Sequence, residues 1–70
     1  MRRSPDKISR NILKILDEKG EPLETKEIEL SMKSVTRTKI LYRLSYMRGE
    51  GLIRGKVVGS GKGTWIWWTK

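Results

Sequence analysis

"GKVVGSGKGTWIWWTK", residues 55–70, decides how the chain is read. Glycines alternate with small and basic residues, and three tryptophans follow at positions 65, 67 and 68. Such a stretch is either a phosphate-cradling loop or the tip of a β-hairpin. A phosphate loop of the form G-x-x-x-x-G-K-[ST] needs a hydroxyl directly after its lysine, and a strand before and a helix after the loop. Here Lys62 is followed by Gly63, and counting back five positions from Gly61 reaches Lys56 where a glycine is required. "TWIWWT" is β-branched and aromatic, which is a strand signal rather than a helix signal. The glycines therefore turn a hairpin over residues 52–69. A five-residue loop at 59–63 pairs Val58 with Thr64, Val57 with Trp65, Gly55 with Trp67 and Ile53 with Thr69. One face then carries Ile53, Gly55, Val57, Trp65 and Trp67 without a charge, and is expected to be the core face. The other carries Arg54, Lys56, Val58, Ile66 and Trp68. Trp65 and Trp67 are expected inside, Trp68 outside, with Arg54 placed to stack on Trp68.

Before Leu52 the hydrophobic period is helical. A helix over residues 36–48 is predicted by Ile40, Leu44 and Met47 on one stripe. Thr36 is its N-cap, Val35 packs just ahead of it, and Gly49 and Gly51 end it. A shorter helix over 26–32 has Thr25 as expected N-cap, Glu27 in its first turn, and Ile28 and Met32 on one face. Leu23 and Glu24 form a brief extended piece before it. The first helix is predicted over 5–19, with Ser4 as N-cap and Pro5 at the first helical position. Ile8, Ile12, Ile15 and Leu16 form its stripe with Leu13 beside it, and Gly20 and Pro22 stop it. The chain is thus a single α+β domain, residues 1–70.

Composition narrows the chemistry. Seventy residues bury little core, so packing of a few large side chains must carry stability. Without cysteine or histidine, disulfides, thiolate nucleophiles and the usual zinc sites are excluded. No apolar run approaches the ~20 residues of a membrane span, and "MRRSPDKISRN" is no secretory signal, so a cytoplasmic location is expected. Alanine and glutamine are absent, Asn11 is the lone asparagine, and 34% of residues are charged, a thermophile-like composition. The net charge of +8 is segregated. Residues 1–16 hold five basic and one acidic side chain, residues 17–32 two basic and six acidic, and residues 33–70 nine basic with only Glu50 acidic. Segregation of this kind points to a polyanionic partner. No cofactor is implied, and nothing in the sequence equips an enzyme.

With these elements in this order, the chain resembles a winged helix-turn-helix domain of the kind found in small prokaryotic and archaeal regulators. "RNILKIL", "LETKEIELSM", "SVTRTKILYRLSYM" and "GEGLIRG" carry the resemblance, with "GSGKG" as the wing. The resemblance implies sequence-preferring binding to double-stranded DNA, with the third helix in the major groove and the wing on the backbone. It nominates Arg37, Thr38, Leu41 and Tyr42 for the groove, Arg37 to fork onto guanine and Leu41 to meet a thymine methyl. Lys33, Ser34, Lys39, Arg43 and Lys62 are nominated for phosphates, and Arg2 and Arg3 for a basic arm. Leucine and tyrosine at groove positions depart from the polar pattern expected there. The alternative is a protein-interaction module in a larger assembly, with Leu41, Tyr42 and Trp68 docking a protein partner or a second copy. RNA is a third candidate ligand.

Overall fold

In a computed structural model describing residues 6–59, 61 and 63–69, the elements run α1 (Lys7–Lys19), β1 (Leu23–Glu24), α2 (Thr25–Ser31), α3 (Arg37–Gly49), β2 (Arg54–Val58) and β3 (Thr64–Trp68). The three strands form one antiparallel sheet in the order β1-β3-β2. No helix among the described residues is long and apolar enough to cross a membrane.

Each helix starts where a side chain satisfies a free backbone N–H. At α1 this is Asp6, whose carboxylate accepts from the Ser9 amide at 2.9 Å. The helix as described starts at Lys7 with Asp6 as its cap; Ser4 and Pro5, expected as cap and first helical residue, lie outside the described residues. At α2 the cap is Glu24, and the Glu27 carboxylate accepts from the Glu24 amide at 2.7 Å. Thr25, expected as that cap, is instead buried, and its hydroxyl accepts a 2.8 Å hydrogen bond from the Trp67 indole N–H. A buried indole donor must find an acceptor, and that demand prevails over local capping. At α3 the Thr36 hydroxyl accepts from the Lys39 amide at 3.3 Å, as expected.

The end of α3 aims the hairpin. The Leu52 amide donates to the Met47 carbonyl at 2.9 Å and the Gly51 amide to the Arg48 carbonyl at 3.1 Å. This is the Schellman arrangement, with Gly51 left-handed at φ 81°. It reverses the chain so that Ile53 enters the core and β2 begins at once.

The core gathers Ile12 and Leu16 of α1, Ile28 of α2, and Ile40, Leu44 and Met47 of α3, closed by Leu23, Met32, Ile53 and Trp67. Ile8, Leu13, Ile15 and Val35 pack around it, half-buried. The β2–β3 register is the expected one, with Gly55 opposite Trp67 and Val57 opposite Trp65. A Cβ on Gly55 would lie 2.5 Å from Trp67 Cε3, so only glycine leaves room for that ring. The expectation that the whole uncharged face lies inside is corrected. Trp67 is buried, but Trp65 and Val57 are 39% and 53% exposed, and Trp68 is half-buried rather than exposed. β1 is the reason: Leu23 and Glu24 pair with Trp67 and Ile66, and the chain then turns into α2 before reaching Trp65.

Candidate nucleic-acid interface

With Ile40, Leu44 and Met47 turned into the core, α3 presents Thr38, Tyr42 and Ser45 to solvent on the opposite side. Tyr42 is the most open of these aromatic and apolar groups, at 68% exposure. Leu41 is half-buried at the margin. Residues 37–49 contain arginine and lysine at 37, 39, 43 and 48 and no acidic residue. Lys33 and Ser34 are exposed in the turn from α2. Arg54 and Lys56 are exposed on β2.

The cations nominated from the sequence have unequal surroundings. Arg37 donates to the Glu29 carboxylate of α2 at 3.2 Å. Arg43 donates to Asp6 through Nη2 at 2.7 Å and Nε at 3.2 Å, and its guanidinium lies 5.8 Å from the Tyr42 ring centroid. Hydrogen bonding from Arg43, with that of the Ser9 amide, holds the Asp6 carboxyl well below the usual carboxylate range. Arg43 thus fastens the N-terminus of α1 to α3, a job that occupies the group nominated for phosphate. Lys33 and Lys39 have no carboxylate partner among the described residues. Lys62, Arg2 and Arg3 lie outside the described residues.

Two features escaped the sequence reading. The arginine stacked on a tryptophan is Arg48 on Trp65, 5.0 Å from the ring centroid, not Arg54 on Trp68. The helical spacing of Arg37, Leu41 and Arg48 was the available signal, since it puts all three on one flank of α3. Ser45 at the centre of the outward face was also overlooked, although it lies three positions beyond Tyr42. The apolar patch proposed from Leu41, Tyr42 and Trp68 is reduced, because Leu41 and Trp68 are both half-buried.

No protein-family model matches the chain, and no curated protein matches it. A solved structure does match, with a TM-score of 0.78 over 90% of this chain and 98% of the other, at 18% identity. It comes from work on the DNA-recognition and protein-interaction domains of HOP2 and on that protein's homologous DNA pairing. The fold is a winged helix-turn-helix. In its terms, α2 and α3 are the helix-turn-helix, β2 and β3 with their glycine loop are the wing, and β1 is the third strand that fastens the wing to the helices.

Proposed function

We propose that this winged helix binds double-stranded DNA, placing the outward side of α3 in the major groove and the wing along the neighbouring backbone. The observation that carries this reading is that α3 itself, residues 37–49, bears four cations and no acidic residue, with Lys33 before it and Arg54 and Lys56 beyond Glu50 after it. A helix of 13 residues is about 20 Å long and matches a groove that admits a helix end-on or lengthwise. The likeness to a structure studied for DNA recognition supports the same ligand. Sequence preference would come from Thr38, Tyr42 and Ser45 at base edges, with Leu41 at the margin. Arg37 joins them by giving up an exposed ion pair worth about 1 kcal/mol or less. Action as a small transcription regulator is the narrower form of this proposal, and the chain's role is binding rather than catalysis.

The test is a fluorescence-anisotropy titration of a labelled duplex across a range of KCl concentrations. Counterion release from about four phosphate contacts gives a log–log slope near −4. Lys39→Gln should weaken all duplexes alike and flatten that slope by about 1. A slope near zero, with binding indifferent to Lys39, would refute the reading.

A further inference from the structure

The far end of α3 and the start of β2 enclose an open pocket of about 510 Å³, lined by Arg48, Gly51, Ile53, Arg54 and Gly55. Two cations line it together with two glycines and an isoleucine. Among the described residues neither Arg48 nor Arg54 pairs with a carboxylate, in contrast to Arg37 and Arg43. Arg48 connects this pocket to an aromatic platform, since its guanidinium lies 5.0 Å from the Trp65 centroid. Trp65 is itself stacked on Trp67, with centroids 5.1 Å apart and planes within 18°. Trp67 is locked below by its hydrogen bond to Thr25. The result is a column of rings whose outer member is 39% exposed, opposite an exposed Val57 and in contact with Arg48, which shares its pocket with Arg54.

We propose that this pocket and the Trp65 ring form a second nucleic-acid site, one that takes an unpaired nucleotide. A base stacks on the exposed part of the Trp65–Arg48 column, while Arg48 and Arg54 hold the adjoining phosphates. Aromatic stacking beside cations is the chemistry by which single strands are held without regard to sequence. Bases within a duplex are stacked on one another and offer no free face, so this platform selects an unpaired strand. An acidic peptide would satisfy the two arginines but leave the tryptophan unused. The site uses none of Thr38, Tyr42 and Ser45; it shares the cations Arg48 and Arg54 with the basic surface of the duplex proposal, and Trp65 is what sets it apart.

Anisotropy of the whole chain with a labelled 12-mer of thymidylate, an abasic 12-mer of the same charge and a 12-base-pair duplex tests it. The thymidylate strand should bind at least about tenfold more tightly than the abasic one, and Trp65→Leu should remove most of that difference. Duplex affinity should stay within about twofold in Trp65→Leu and fall in Tyr42→Ala, so the two sites fail or survive separately. In the unmutated chain, the Trp65 indole N–H resonance should shift on adding thymidylate while that of Trp67 holds still, which needs no variant to fold. Equal affinity for the abasic strand, an unmoved Trp65 resonance, or displacement of thymidylate by polyglutamate at equal charge would each overturn the assignment.

Discussion

Trp65 and Trp67 project from the same face of β3, two residues apart, yet one is 39% exposed and the other 3%. Around Trp67 the environment is complete: Leu23 of β1 on one side, bare Gly55 on the other, and the Thr25 hydroxyl beneath its indole N–H. Around Trp65 the sheet is one strand narrower, and the ring stacks on Trp67 and meets the Arg48 guanidinium. Strand alternation sets which face a side chain takes. The reach of the neighbouring strand sets whether that face is covered. Trp67 belongs to the core, and Trp65 is left partly open at the surface.

That contrast is open to direct attack by urea unfolding. Trp67→Ala should cost about 3–5 kcal/mol, a large part of what a 70-residue domain possesses, whereas Trp65→Ala should cost about 1 kcal/mol or less. Equal losses would show that the two rings share one structural role. Gly55→Ala should cost about 1–3 kcal/mol by driving a methyl group into the Trp67 ring. Thr25→Val keeps the shape but strands the indole N–H, with an expected loss of about 1–2 kcal/mol.

The smallest effect belongs to the Asp6–Arg43 pair, whose carboxylate side chain is 49% exposed. Arg43→Gln should lower stability at neutral pH by about 0.5–1 kcal/mol. The Asp6 carboxyl is depressed in the folded chain, so its contribution is whole above the ordinary value of 3.8 and fades as pH falls below it toward the lower folded value. The unmutated chain and Arg43→Gln should therefore converge in stability in strong acid. A difference that persists unchanged there would mean that Arg43 acts through packing on Tyr42 and not through charge.

Much of this was readable from local pattern. The glycine loop at 59–63 and the pairing of Gly55 with Trp67 follow from counting outward from the turn, because an antiparallel register is symmetric about its loop. The α3 stripe and its Thr36 cap follow from helical spacing and hydroxyl chemistry. What was hidden depends on residues distant in sequence. Thr25 has all the local credentials of a cap, and only the arrival of Trp67, 42 positions later, claims its hydroxyl. Arg43 looks like a free phosphate ligand until α1 brings Asp6 to it from 37 positions away. Exposure of Trp65 depends on where β1 gives way to α2, which no alternation pattern in β3 encodes.

Backbone amide NMR during titration with a duplex tests most directly whether the outward side of α3 and the wing act as one DNA surface. Shifts should appear together at residues 33–45 and on β2 at 54–58, while the amides of α1 from 11 to 19 stay in place. Shifts centred on α1, or confined to the wing with α3 unmoved, would contradict it.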